Sequence, residues 1–302
     1  MADVKLLSGR EISAIFAPLA KTKLDVSGIR RKFLNCPYGE DPRQALDIYL
    51  PAEGDGPYPV VFFAHGGGWS GGSRADAQVL PFMDGVNRGY AVVSVGYRLL
   101  PHIRYPENLF DIKAALRWTA ENAETYLLDP DRCALTGASA GAHLAMMAAF
   151  TMGQAVFEGA PLGKTCRIRA VVNQFGPTDF RKTHTYYDES GYARAADPNS
   201  DALSEAEQMF GGRFDELGNL VRFVNPIDQV HPDVPPVLSQ HGRYDPIVAY
   251  QHAVDLTEKI RRVAGEDRAE LDLQENMSHA DLGFASPPEV DRIFAFLDKY
   301  LK

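Results

Sequence analysis

Cys133-Ala134-Leu135-Thr136-Gly137-Ala138-Ser139-Ala140-Gly141-Ala142-His143-Leu144-Ala145 reads as a short apolar strand, a Gly-x-Ser-x-Gly turn and a helix rich in small residues. In that succession a serine is turned out of a sheet as a nucleophile. The turn has to be sharp, so the residues beside the serine must be small. Gly137, Ala138, Ala140 and Gly141 all are. Glycine tolerates strained dihedrals and lets a helix and a strand approach closely. The same residues would also serve a tight strand-to-helix turn without chemistry, so the partners of Ser139 decide the matter.

Working outward, residues 60–64 are continuously apolar, as a strand buried on both faces is, and residues 90–95 read as the next buried strand. Residues 44–50 alternate apolar and polar, as a half-buried antiparallel strand does. Residues 170–175, 237–241 and 270–275 read as three further strands. Between them, residues 75–88, ended by Gly89, residues 107–128, 248–263 and 290–301 read as helices. Strands alternating with helices predict a mostly parallel sheet with helices on both faces. Residues 180–232 break the alternation and read as an insertion above the C-terminal edge of the sheet. Residues 1–40 read as an N-terminal arm or cap element, with a weakly amphipathic piece at 11–24. The expectation is one domain, 1–302.

The 302 residues are 45% apolar, enough for a sizeable core, and the net charge is −9. That acidic balance leaves no electrostatic footprint for nucleic acid. Cys36, Cys133 and Cys166 are odd in number and irregular in spacing, which argues against a disulfide framework. No Cys/His spacing resembles a zinc site, and no metal or cofactor is expected. The first residues carry charges where a signal peptide needs an apolar run, and no stretch approaches the ~20 apolar residues of a membrane helix. A cytoplasmic protein without stable membrane association is expected. Monomer and homodimer both remain open.

A nucleophilic serine needs a base, an orienting carboxylate and donors for the oxyanion. Of the eight histidines, His252 lies within a helix and His143 one turn into the helix after the serine. His102, His184 and His231 sit in polar loops with no strand leading to them. His65 precedes three glycines and fits a role in pinning that loop. His241 ends a strand, but a carboxylate follows four residues later. His279, just after the last strand, is the candidate base. Asp245, in the turn after residues 237–241, is the candidate carboxylate, ahead of Asp179 and Asp281. The order Ser139, Asp245, His279 is that of α/β-hydrolases.

Gly66-Gly67-Gly68 follows a buried strand and offers unobstructed N–H groups. One oxyanion donor is typically worth about 10²–10³ in rate. The hole is assigned to Gly67, Gly68 and Ala140, with Gly66 an alternative to one of them. A phosphate cradle is disfavoured, since neither a following Lys-Ser/Thr nor Gly-x-Gly-x-x-Gly is present. Trp69 and His65, which flank the glycines, are candidate pocket residues. Tyr186, Tyr187, Tyr192, Phe210 and Phe214 of the insertion either line a pocket for short acyl or aryl groups or pack a small core of their own.

His65-Gly66-Gly67-Gly68-Trp69, Tyr97-Arg98-Leu99, Gly137-Ala138-Ser139-Ala140-Gly141 with His143-Leu144-Ala145, His241-Gly242-x-x-Asp245 and His279 occur in order from about Gln44 to the C-terminus. Together they resemble serine carboxylesterases of the α/β-hydrolase fold, in the hormone-sensitive-lipase-like group and its acetyl-esterase and feruloyl-esterase relatives. The glycine loop ending in Trp69 is also similar to that of kynurenine formamidases. The resemblance implies an eight-stranded, mostly parallel sheet with helices on both faces and a small inserted cap. It implies hydrolysis of small-molecule carboxylic esters through an acyl-enzyme. Arylformamidase activity, or a non-catalytic binder on the same fold, are the alternatives. Two departures blur the subgroup. Leu100-Pro101-His102 replaces the more usual Ala-Pro-Glu continuation, and Ala142 stands where many relatives carry glycine.

Overall fold

The computed structural model describes residues 5–190 and 203–302. The chain runs α1 (Gly9–Lys21), β1 (Lys32–Pro37), β2 (Ala45–Tyr49), β3 (Tyr58–Ala64), α2 (Leu80–Met83), β4 (Ala91–Val95), α3 (Glu107–Glu121), β5 (Leu128–Ala138), α4 (Ala140–Phe150) and β6 (Ile168–Gln174). It continues through α5 (Thr183–Ser190), α6 (Glu205–Phe210), β7 (Val237–Gly242), α7 (Gln251–Ala264), β8 (Ala269–Gln274) and α8 (Pro287–Leu301). The strands form one sheet in the order β1-β2-β4-β3-β5-β6-β7-β8. β2 is antiparallel to both neighbours, β1 and β4, and the other pairings are parallel.

The alternation of side chains along a strand sorts the core into two layers. Val60 and Phe62 face a layer built with α3, α4 and α7, through Leu109, Leu116, Leu144 and Leu256. Val61 and Phe63 face the other layer, with Phe82 of α2 and Ile293, Phe294 and Leu297 of α8. Each such side chain removed from water contributes roughly 1.5–3 kcal/mol. Central strands buried on both faces have no polar face to show, which is why they read as unbroken apolar runs.

Four expectations need correction. β1 lies inside residues 1–40 and is a sheet strand, not part of an arm. It is an edge strand with a bulge between Phe33 and Cys36, and both Phe33 and Leu34 are exposed, so it carries no alternation. The helix placed at 75–88 is broken: 3₁₀ turns at Ala77–Val79 and Asp84–Arg88 flank the short α2. α3 stops at Glu121, and Leu128 already belongs to β5. β2, expected to be half-buried, is buried at every residue, its Asp47 paired with Arg74 and the Asn35 N–H. The amphipathic piece at 11–24 is a helix, α1, begun by a Ser8/Glu11 capping box.

Residues 180–190 and 203–232 contribute α5, α6 and 3₁₀ turns but no strand. Among the described residues, no helix is long and apolar enough to cross a membrane.

Candidate active site

Ser139 stands between the last residue of β5 and the first of α4, with φ +53° and ψ −121°. A non-glycine residue in that region is strained and persists only where its surroundings hold it. Here the Ser139 N–H donates to the Gln174 carbonyl at 2.9 Å. Gly141 makes the turn fit, since a Cβ there would collide with the carbonyl oxygens of Ala64 and His65 at the end of β3. α4 has its N-terminus at the serine, so the positive end of its dipole lies where an oxyanion would form.

Ser139, His279 and Asp245 are linked by hydrogen bonds. His279 Nε2 lies 3.0 Å from Ser139 Oγ, and His279 Nδ1 lies 2.7 Å from Asp245 Oδ2. Asp245 Oδ1 accepts the N–H groups of Ile247 and Val248, each at 2.8 Å. Burial alone would push the Asp245 carboxyl up, but His279 and His241 outweigh it and hold the group well below the usual carboxylate range. Ionised Asp245 accepts a proton-bearing Nδ1, which leaves the lone pair of His279 on Nε2, facing the serine. Phe175 and Phe16 meet the His279 ring edge to face, at centroid distances of 4.9 and 5.9 Å.

Gly67, Gly68 and Ala140 line the same cavity as Ser139 and His279. Gly67 and Gly68 have φ of +116° and +58°, conformations that favour glycine. The Gly66 N–H is already committed to Gln78 Oε1 at 2.7 Å, which removes it as an oxyanion donor. The cavity is about 680 Å³, within the range of small-molecule sites.

Trp69 lines this cavity, but His65 does not. His65 is fully buried, bonds through Nδ1 to the Gly66 carbonyl at 2.8 Å and stacks on Tyr97 at 4.3 Å. It pins the glycine loop, so its place among the pocket residues is corrected. Of the insertion aromatics, Tyr187 and Phe214 reach the cavity. Phe210 packs against Phe180 and Tyr105, and Tyr186 against His252. Tyr192 lies outside the described residues. Asp179 is held by Arg181 and Asn225, and Asp281 caps the turn at Leu282–Ala285, so neither rival reaches His279.

The cavity also draws on residues that the sequence reading does not single out, among them Ile12 and Phe16 of α1 and His252 of α7. Their local patterns fit ordinary amphipathic helices, and only the fold brings them to Ser139.

Comparisons with known proteins bear on the family and the fold. The family model BD-FAE matches residues 46–260. Esterase LipC of Mycobacterium tuberculosis is 28% identical over 89% of this chain and 65% of its own length. The isoprenylcysteine alpha-carbonyl methylesterase ICME of Arabidopsis thaliana is 28% identical over 83% of this chain and 57% of its own. The chain thus spans about half to two thirds of the length of these curated relatives. Among solved structures, a truncated carbohydrate esterase from gut microbiota superposes with a TM-score of 0.79 at 24% identity, covering 92% of this chain and 99% of that one. Esterase B of Lactobacillus rhamnosis gives 0.74 at 23%, covering 96% and 90%. With the family match running from β2 into α7 and a fold that superposes on these esterases over most of its length, the chain belongs to the BD-FAE family and has the α/β-hydrolase fold.

Proposed function

We propose that the protein is a serine carboxylesterase that cleaves short-chain acyl or aryl esters through an acyl-enzyme. The observation that carries this reading is the continuous hydrogen-bonded path from Ser139 Oγ through His279 to Asp245 at the rim of one cavity. His279 Nε2 takes the Ser139 proton as Oγ attacks the ester carbonyl. The N–H groups of Gly67, Gly68 and Ala140 receive the oxyanion, assisted by the N-terminus of α4. Asp245 fixes the His279 tautomer and stabilises the imidazolium. His279 then protonates the leaving alcohol, and water, activated by the same ring, releases the acid. The esterase names of the sequence relatives agree with this chemistry. Cys36, Cys133 and Cys166 are free and buried, which fits a reducing compartment and hence a cytoplasmic location.

The test is hydrolysis of p-nitrophenyl esters from acetyl to dodecanoyl, with Ser139→Ala alongside. The expected result is turnover that falls with chain length and is lost in the variant. Turnover of N-formylkynurenine with none of any ester would move the protein to the arylformamidases. Full activity of Ser139→Ala would remove the nucleophile assignment.

A further inference from the structure

One polar group of the cavity has no part in the reaction above. His252 lies in the first turn of α7 and is only 1% exposed, yet its ring lines the cavity that holds Ser139 and His279. Its Nδ1 accepts the backbone N–H of Thr178 at 3.1 Å and of Asp179 at 3.3 Å. Two N–H groups aimed at Nδ1 leave no proton there, so the ring carries its proton on Nε2. Burial, chiefly, holds the His252 pKa down at about 3, and the ring stays neutral at working pH. Tyr186 meets the ring edge to face at 4.7 Å and fixes its plane. The result is a pre-set N–H donor whose charge does not change with pH.

Among the described residues, Nε2 has no hydrogen-bond partner. Three other buried histidine nitrogens share that lack: His65 Nε2, His143 Nδ1 and His241 Nδ1. Those three are shut off from solvent; His252 Nε2 is not among the sealed atoms, and because His252 lines the cavity, we infer that Nε2 opens to it. A donor that faces a cavity loses its water when a substrate arm fills the space, and it then costs free energy unless that arm brings an acceptor. Pinning the turn at Thr178 and Asp179 uses only Nδ1 and leaves Nε2 unexplained.

We propose that the His252 Nε2–H is a specificity-determining donor that recognises a second oxygen of the substrate, an ether, hydroxyl or carbonyl oxygen carried on the acyl or the alcohol arm beyond the scissile ester. This rests on the ester-hydrolase reading and adds a preference to it. A site built to donate a hydrogen bond discriminates against an analogue that lacks the acceptor, because the buried donor is then left unpaired. An all-carbon arm is the disfavoured substrate, and its isosteric oxygen-containing counterpart is the favoured one.

The experiment uses two series on the full chain. In one, p-nitrophenyl hexanoate has a single CH₂ replaced by oxygen at successive positions from C3 of the acyl chain outward. In the other, hexyl acetate has the same replacement from C3 of the hexyl chain outward. Each kcat/KM is divided by the rate of hydroxide hydrolysis of the same ester, which removes intrinsic reactivity. The expected result is one position favoured roughly tenfold over the all-carbon ester, the worth of one neutral hydrogen bond. His252→Asn keeps an acceptor for the Thr178 N–H but is too short to present a donor to the cavity, and its ratio falls to about one. His252→Gln, long enough to present an amide N–H, regains part of the preference. The wild-type preference stays flat across the pH range in which turnover is measurable. Ratios are read within each variant, so a loss of stability does not imitate the effect. Hydrolysis of both series with no favoured position, or a preference that survives in His252→Asn, overturns the inference alone. Failure to hydrolyse any member overturns the esterase reading and this inference with it.

Discussion

His241 Nε2 stands 3.2 Å from Asp245 Oδ2, the same oxygen that His279 Nδ1 reaches at 2.7 Å. The His241 Nε2 is also 2.8 Å from the Val248 carbonyl, which can only accept, so Nε2 carries a proton and shares it between carbonyl and carboxylate. His241 thus helps to orient Asp245 without touching the serine. Asp245 keeps three other donors: Ile247 N–H, Val248 N–H and His279. Replacing His241 by phenylalanine, which roughly preserves volume, should therefore lower kcat by roughly tenfold, the worth of one shared hydrogen bond to a charged group. Asp245→Asn should lower it by roughly 10³–10⁴, because the tautomer of His279 is then wrong. Steady-state kinetics of the two variants check this. A His241→Phe loss as large as that of Asp245→Asn would make His241 the ring that matters.

Away from the site, Lys113 Nζ lies 2.7 Å from Glu158 Oε1 and 2.8 Å from the Thr151 carbonyl, with both charged side chains buried. Burial pushes the Lys113 ammonium down from its ordinary value, and Glu158 opposes that shift. Removing one partner strands the other charge in a poor solvent. Glu158→Ala should cost about 3–5 kcal/mol, while the double change Lys113→Met with Glu158→Leu should cost clearly less, its remaining cost falling on Arg117 and the Gly153 N–H, which also bind Glu158. Urea unfolding of the two variants beside the wild-type protein tests the difference. Equal destabilisation by the single and double changes would contradict it.

Glu289 sits in the first turn of α8 and accepts from Gln240 Nε2 at 3.0 Å; Gln240 Nε2 also donates to Asp272 Oδ2 at the same distance. Burial, with Asp272 beside it, pushes the Glu289 carboxyl up to about 7. A carboxyl raised above its unfolded value favours the folded state when protonated. Stability from this group is therefore fully present below about pH 4.5 and is lost as pH rises towards 7. Glu289→Gln should raise the melting temperature at pH 8 by roughly 2–5 °C and change it little at pH 4.5. Thermal melts of both proteins at the two pH values decide it. A gain that is the same at both would remove the titration from the explanation.

The parts of the molecule legible in the sequence are those whose physics is local. The buried strands β3 to β6 carry apolar runs because both faces are covered, and the elbow needs small residues on either side of Ser139. Asp245 and His279 could be found because each follows a strand at its C-terminal end. β1 was not legible, since an edge strand with Phe33 and Leu34 exposed has no buried face to imprint a pattern. The end of α3 was misplaced because the apolar spacing runs on into Leu127 and Leu128, whereas the chain has turned: Leu127 has φ +57° and its carbonyl accepts the Tyr58 N–H. His252 reads as a helix residue and Phe16 as part of a weakly amphipathic piece, and both lie in helices. That their helices deliver them to one cavity is a property of the topology, and no local spacing records it.

Phe16 gives the last of these a test. No residue of α1 is fully buried, and Phe16 and Leu19 pack against the core only in part, while Ile12 and Phe16 line the cavity and Phe16 meets the His279 ring. An aromatic contact of this kind is worth about 0.5–1.5 kcal/mol beyond its area. If α1 serves the site more than the fold, Phe16→Ala should lower the melting temperature by no more than about 3 °C. It should raise KM for p-nitrophenyl butyrate several-fold, with a smaller fall in kcat, because binding surface is lost while Ser139, His279 and Asp245 stay in place. A large drop in melting temperature with KM unchanged would instead assign α1 to stability, and the cavity would then owe its apolar wall to Ile247, Val248 and the residues between β6 and β7.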